Sequence, residues 1–517
     1  AKSLFGMIEG STESRPTLRL AADLCRSPFG NESPTNFRAA MKLRLLASVL
    51  FAFATGSTPA PAAERPNVII ILADDLGYGD LSCYGQTKYK TPNLDRMAAE
   101  GAKLTQFNCP APFCAPTRAS LMTGRYPFRC GMVANPAPDG GQAADQLHLP
   151  ETEVTLAQLF KKAGYATGMV GKWHLGHAHP KWLPTARGFD EYFGIPYSND
   201  MRPVALFEDD GQSEYPVVQA NLTRRYTEHA QAFIAKNKRK RFFCYFAHAM
   251  PHKPLAASEA FYKKSGAGLY GDAVAELDWS VGRVLATLKD LKLEEKTLVM
   301  FTSDNGATFG GSTGGLRGMK ASSYEGGYRV PCIARWPGKI PAGHVTAEPA
   351  VMMDLFATVL KAANVPAPSD RVIDGRDIMP LFTSDAKSPH DVILGHAGPK
   401  LACVRDARWK LHVLAPRDNF MTFDKPGERW IDPRAPDGVT IIAPYEQYQP
   451  REHPGLRTGV ASKAMQLFDL QSDPGEQRDV AAEHPDVVAW LKKLYDATNK
   501  DVPADLPNPK RTGPTAK

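Results

Sequence analysis

Three short apolar runs, each ending abruptly in a cluster of charged or amide side chains, constrain the fold of this chain more than any other feature. Residues 67–73 (Asn-Val-Ile-Ile-Ile-Leu-Ala) run straight into Asp74-Asp75. Residues 167–170 lead into Gly171-Lys172-Trp173-His174, and residues 297–302 lead through Ser303 into Asp304-Asn305-Gly306. Runs this short and this rich in β-branched residues suit strands buried on both faces, as in a parallel sheet. Residues 242–247 read as a further strand. Helical segments separate the strands: 91–100, opened by Thr91-Pro92-Asn93 and stopped by Gly101; a start at Pro116 running to Thr123; 155–163, closed by Gly164; and 270–291. This alternation predicts an α/β fold, a large, mostly parallel sheet with helices on both faces. After about residue 385 the pattern changes. Residues 409–414 and 465–470 read as strands and 485–499 as a closing helix with proline at its first position. We therefore expect a catalytic domain over 64–385 and a smaller C-terminal α+β region over 386–517, with a Pro-rich and charged insertion at 416–457.

The N-terminal segment points to export. Met41-Lys42-Leu43-Arg44 is a charged start, residues 45–54 are apolar, and small residues follow to Ala63. That is the pattern of a cleaved secretory signal over 41–63, which implies a secreted or periplasmic protein. Residues 1–40 are then an extension or a start-site artefact. No later run is long and apolar enough to span a membrane. The net charge of +7 in 517 residues is not gathered into runs, and no basic strip interleaved with aromatics speaks for nucleic acid. The eight cysteines contain no Cys-x-x-Cys pair, and Pro251 between His248 and His252 argues against a helical zinc pair. Most cysteines read as buried thiols. Cys109 and Cys130, flanking Cys114, are the pair considered for a bridge.

Ligands collect at the carboxyl ends of strands in an open parallel sheet, so the three polar clusters are expected to converge. Asp74, Asp75, Asp304 and Asn305 offer only oxygen donors, which suits a hard divalent cation, Ca2+ rather than the stricter Mg2+. Asp-Asp and Asp-Asn-Gly are also ordinary turn residues; their placement after buried strands is what favours a ligand role. The most specific segment is Cys114-Ala115-Pro116-Thr117-Arg118 followed by Leu121-Met122-Thr123-Gly124-Arg125. It puts a cysteine at the positive end of a helix, with Arg118 one turn away on the same side.

This segment resembles the signature of the type I sulfatases, in the alkaline phosphatase superfamily. The resemblance extends through Asp74-Asp75-Leu76-Gly77, Thr91-Pro92-Asn93-Leu94-Asp95, Gly171-Lys172-Trp173-His174-Leu175-Gly176 and Pro251-His252-Lys253-Pro254. It continues in Thr302-Ser303-Asp304-Asn305-Gly306, Leu316-Arg317-Gly318-Met319-Lys320, Glu325-Gly326-Gly327-Tyr328-Arg329-Val330-Pro331 and Leu467-Phe468-Asp469-Leu470. It implies an alkaline phosphatase-like fold with a mixed, mostly parallel sheet. It further implies hydrolysis of sulfate esters by Cys114, converted to formylglycine (3-oxoalanine) by a maturation enzyme and sharing the metal with Asp74, Asp75, Asp304 and Asn305. By the same resemblance Arg118 orients the nucleophile, Lys172 and Lys320 clamp sulfate oxygens, His174 assists sulfate release and His252 protonates the leaving oxygen, with His248 as the rival for that last role. The segment Gly194-Ile195-Pro196-Tyr197-Ser198-Asn199-Asp200 is similar to one in arylsulfatase A-like enzymes and makes Ser198 a sulfate contact. Asp200, Arg202 and His396 are expected against the rest of the substrate. That substrate is a sulfated small molecule, glycolipid or polysaccharide, selected by loops 136–149, 200–223 and 416–457. Two other readings stand beside this one: a phosphodiesterase or phosphonate hydrolase of the same superfamily, and a carbohydrate-binding relative without activity.

Overall fold

The computed structural model describes residues 65–417, 441–442, 447 and 458–509. The signal at 41–63, the segment before it and most of the insertion at 416–457 lie outside the described residues. In chain order the strands are β1 (Asn67–Ala73), β2 (Ala102–Asn108), β3 (Ala166–Gly171), β4 (Glu191–Gly194), β5 (Leu206–Glu208) and β6 (Gly211–Glu214). They continue with β7 (Val217–Val218), β8 (Phe242–Ala247), β9 (Thr297–Ser303), β10 (Arg329–Arg335), β11 (His344–Thr346) and β12 (Ala350–Val351). Eleven of these form one sheet in the order β11-β2-β10-β9-β1-β8-β3-β4-β5-β6, with β12 also on β2. The central strands β9, β1, β8, β3 and β4 are all parallel, whereas β10, β5 and β6 run antiparallel to their neighbours. The expected mixed, mostly parallel sheet is what forms.

Strand β1 shows why. All seven of its residues are buried, and successive side chains go to opposite faces. Val68, Ile70 and Leu72 enter one core, and Ile69, Ile71 and Ala73 enter the other. The first core is covered by α2 (Cys114–Thr123), α3 (Leu156–Lys162) and α6 (Asp354–Ala362). The second is covered by α1 (Pro92–Ala99), α4 (Leu222–Lys236) and α5 (Gly268–Asp290). Residues that a half-exposed strand would place in water here have a helix on each side.

A second sheet, antiparallel and four-stranded, is built from β13 (Ile393–Ala397), β14 (Lys400–Arg405), β15 (Trp409–His412) and β17 (Gln466–Asp469). Helix α7 (Pro485–Asn499) packs on it through Leu491 and Tyr495, and Tyr126 and Phe128 join the same core. The short β16 (Ile441–Ile442) pairs with β7. No helix among the described residues is long and apolar enough to cross a membrane. Cys109 and Cys130 are not bridged: both are free buried thiols of the first core, that of Cys109 reaching Ser303 O and that of Cys130 reaching Pro127 O.

Candidate active site

Four parallel strands end side by side, and their next residues make the site. Asp74 and Asp75 follow β1, Lys172 follows β3, His248 to His252 follow β8, and Asp304 and Asn305 follow β9. Backbone hydrogen bonds continue the ladder past the strand ends: Asp304 N to Ala73 O, Asp74 N to Met250 O and Lys172 N to Ala247 O. Gly171 permits the last of these, because a Cβ there would lie 1.7 Å from Ala247 O. Asp75 and His174 hold left-handed backbones (φ 66° and 61°), a strained choice for residues with side chains.

Helix α2 supplies Cys114 and Arg118. All ten of its residues are buried, and Gly124 ends it in a left-handed turn. Cys114 Sγ lies 3.5 Å from Asp74 Oδ1 and 4.0 Å from Asp75 Oδ1. Lys320 Nζ bridges them, 3.2 Å from Cys114 Sγ and 2.6 Å from Asp75 Oδ1. Lys172 Nζ donates to Asp74 Oδ2 at 2.5 Å and to Ser198 Oγ at 3.0 Å. Arg118 grips Asp304 Oδ2 through Nε at 2.9 Å, donates to Lys172 O at 2.8 Å and lies 3.7 Å from Asp74 Oδ2. The expected residues therefore meet in one buried cluster of three carboxylates and three cations.

The acceptor side of this cluster is not saturated. Asp75 Oδ2 and Asn305 Oδ1 are buried and have no hydrogen-bond partner. The orientation of Asn305 follows from its Nδ2, which faces the acceptors Asp75 Oδ1 and Gly306 O. Buried oxygens without donors are costly unless a cation satisfies them. The donor set is chemically suited to a hard divalent ion. Both oxygens of Asp304 are engaged, one by Arg118 and the other by the Asp75 backbone N–H. Among the described residues, Asp74, Asp75, Cys114 and His252 form a donor group whose ligand atoms lie within 4.8 Å of one another. His252 is the member that sequence reasoning did not place beside the carboxylates.

Electrostatics follow from burial and from this mutual proximity. Burial, with Asp304 nearby, pushes the Asp74 carboxyl up to about 7. Burial also opposes charge on Asp304, but Arg118, Lys172 and Lys320 outweigh it and hold that group below its ordinary range. The Cys114 thiol is pushed well up by burial and by Asp304, so as a thiol it stays protonated and is a poor nucleophile. Burial and the lysines push His252 well down, and burial with Lys172 and Arg118 does the same to His174.

Two histidine expectations separate here. His252 Nε2 lies 3.6 Å from Asp75 Oδ2. His248 points away, its ring centroid 4.2 Å from that of Phe246 at a 42° tilt, with Nε2 toward Ser280. His174 turns Nε2 to Pro136 O at 3.0 Å and leaves Nδ1 without a hydrogen-bond partner. Asp200 is buried and close enough to raise both His174 and His252. Arg202 is half-buried two residues on. His396 is buried in the second sheet's region, its ring 5.5 Å from that of Phe128.

Comparison with known proteins agrees with this geometry. The sulfatase family model matches residues 66–365. Human N-acetylgalactosamine-6-sulfatase is 42% identical over 448 residues, covering 82% of this chain and 82% of its own. Mouse steryl-sulfatase is 35% identical over 550 residues, covering 85% of this chain and 83% of its own. Among solved structures, Ps i-CgsB in complex with k-i-k-neocarrahexaose superposes with a TM-score of 0.69 at 27% identity, over 85% of this chain and 94% of that one. The chain belongs to the sulfatase family. It is a sulfuric ester hydrolase on an alkaline phosphatase-like fold.

Proposed function

We propose that this enzyme hydrolyses sulfate esters of carbohydrate or aryl alcohols with residue 114 in its formylglycine form and Ca2+ held by Asp74, Asp75, Asp304 and Asn305 together with residue 114. The observation that carries the reading is the placement of Cys114 at the head of a buried helix, touching Asp74 and Lys320 beside two unpartnered acceptor oxygens. Hydrated formylglycine supplies two hydroxyls on one carbon, one to attack sulfur and the other to expel sulfate afterwards. Bound calcium supplies Lewis acidity toward the sulfate group and the nucleophile. Three carboxylates and three cations cancel one another, so a divalent cation leaves the cluster net positive and receptive to an anionic ester.

The remaining roles belong to side chains. Lys172, Lys320 and Ser198 Oγ bind the non-bridging sulfate oxygens and offset charge that grows in the transition state. Arg118, fixed by Asp304, orients residue 114. His174 Nδ1 takes the proton whose loss releases sulfate. His252 gives its Nε2 proton to the departing alcohol oxygen. The anionic substrate offsets the lysines that depress His252, and Asp200 adds to that effect. Asp200 and Arg202 face the alcohol portion of the substrate. A carbohydrate alcohol is supported by the oligosaccharide bound to Ps i-CgsB and by the amino-sugar named for the human relative. We read 64–385 as the catalytic region, 386–517 as a smaller region backing it, and 41–63 as a signal for export to a secreted or periplasmic setting. A maturation enzyme would act on Cys114.

The test compares wild type with Cys114→Ser on an aryl sulfate and an aryl phosphodiester, with calcium and with a chelator. Calcium-dependent sulfate release by wild type, with a stable sulfated enzyme or no turnover in the serine variant, is expected. Full turnover by Cys114→Ser, or preference for the phosphodiester, would contradict the reading.

A further inference from the structure

His252 sits on a segment between β8 and α5 that has no regular secondary structure around it, yet a proton donor must be held within a fraction of an ångström of its target. Its own Nδ1 is fixed by Lys253 O at 2.5 Å. Because a carbonyl only accepts, Nδ1 carries the hydrogen, and Nε2 is the atom left to exchange a proton. What fixes the backbone beneath the ring lies elsewhere in the chain. Asn199 Nδ2 faces three acceptors, Gln219 Oε1 at 3.0 Å, Pro254 O at 3.3 Å and His252 O at 3.4 Å. Gln219 Nε2 answers with a 2.7 Å bond to Asn199 O. Both side chains are buried, at 0% and 1% exposure.

We propose that Asn199 and Gln219 are positioning residues for His252, a role that rests on His252 being the leaving-group acid. Asn199 grips the carbonyls on both sides of Lys253, and Gln219 holds Asn199 in the orientation that makes this grip. The neighbour of Asn199 in sequence is Ser198, whose hydroxyl accepts from Lys172. One dipeptide thus ties the sulfate-binding end of the site to its proton-donating end. An aspartate at 199 would point an acceptor at three carbonyl or amide oxygens, and an alanine would leave them without their donor.

The experiment is a series of aryl sulfates whose phenols range from good to poor leaving groups, assayed for kcat/KM with wild type, His252→Ala, Asn199→Ala, Asn199→Asp and Gln219→Leu. Proton donation matters most when the leaving phenol is basic. His252→Ala should steepen the dependence of rate on leaving-group basicity. The Asn199 and Gln219 variants should steepen it in the same sense, losing ~10-fold or more on the poorest leaving group and ~2-fold on the best. An equal loss across the series in the Asn199 and Gln219 variants, beside a steepened His252→Ala, would overturn the positioning role alone. A uniform loss in His252→Ala would remove the acid role itself and the proposal with it. Gln219→Leu keeps the test open if substitution of Asn199 prevents folding.

Discussion

Two buried charge clusters among the described residues invite comparison, and one of the two is suited to chemistry. The first joins Asp74, Asp75 and Asp304 to Arg118, Lys172 and Lys320. The second joins Glu325 and Glu476 to Arg329, Arg405, Lys410 and His412. Both are almost wholly excluded from water. In the second, every carboxylate oxygen is taken. Glu325 Oε1 meets Lys410 and Oε2 meets Arg329 and Arg405, while Glu476 Oε1 meets His412 and Oε2 accepts from the Glu325 backbone N–H. Its unpartnered atoms are both nitrogens, Arg329 Nη2 and His412 Nδ1, and no carboxylate or amide oxygen is left over. In the first cluster the spare atoms include the acceptors Asp75 Oδ2 and Asn305 Oδ1. Burial and charge therefore do not identify an active site; spare acceptor oxygens at converging strand ends do. The second cluster instead backs the turn that carries Lys320, since Glu325 begins just beyond it and Arg317 also bonds Glu476 O.

The comparison breaks first under charge removal. Asp75→Asn should lower kcat by about three orders of magnitude, as loss of a preorganised charge in a dry site does, and cost the metal-free fold less than Glu325→Gln does, because one cation, Lys320, and not three loses its buried partner. Glu325→Gln should do the reverse, destabilising the fold by roughly 3–5 kcal/mol because three cations lose their buried partner. Activity assays beside thermal melts would decide; equal effects on both readouts in both variants would dissolve the distinction.

Metal linkage is the next expected effect. Calcium at about 100 times its Kd should stabilise the protein by roughly 2.7 kcal/mol, and Glu476→Gln should not alter that increment. Calorimetric melts with and without a chelator read it directly. A loss of the increment in Glu476→Gln would mean that the second cluster shapes the first more strongly than its contacts imply.

The smallest effect is in pH. Asp74 is raised to about 7 by burial and by Asp304, so it must shed a proton to hold a cation. Calcium affinity should then fall about tenfold for each pH unit below that value. The metal-free protein should slope the other way. A carboxyl raised in the folded state binds more protons there than in the unfolded chain, so its contribution grows as pH falls through about 7 and is lost as pH rises. Titrations of affinity and of stability against pH should cross in sign; parallel slopes would remove Asp74 from the site.

Much of this was legible in the chain itself, for reasons that particular elements make plain. Residues 67–73, 242–247 and 485–499 form the elements expected at the same bounds, because uniform burial and a proline at the first helical turn leave few alternatives. Strands β2 and β10, which extend the sheet beyond β9, were not read. Strand β2 mixes Lys103, Thr105 and Gln106 into its alternation, and three of its seven residues are only half-buried. Strand β10 contains Pro331, which a central strand normally excludes; the register shift between Val330 and Cys332 absorbs it. At the site, the motif residues converged as expected. The roles of Asn199 and Gln219 were invisible, because their hydrogen bonds join segments 20 and more than 50 residues apart. An amide in a Pro-rich loop carries no signal of such a partner. The resemblance assigned His252 to the site, but its approach to Asp75 Oδ2 was hidden for the same reason.

The most direct test of the central claim is a mass spectrum of the peptide spanning residue 114, taken from protein whose calcium-dependent release of sulfate from an aryl sulfate has been measured in the same preparation. The account predicts the aldehyde at residue 114 in a fraction that scales with specific activity. Full sulfatase activity from protein in which Cys114 remains an unmodified thiol would contradict it.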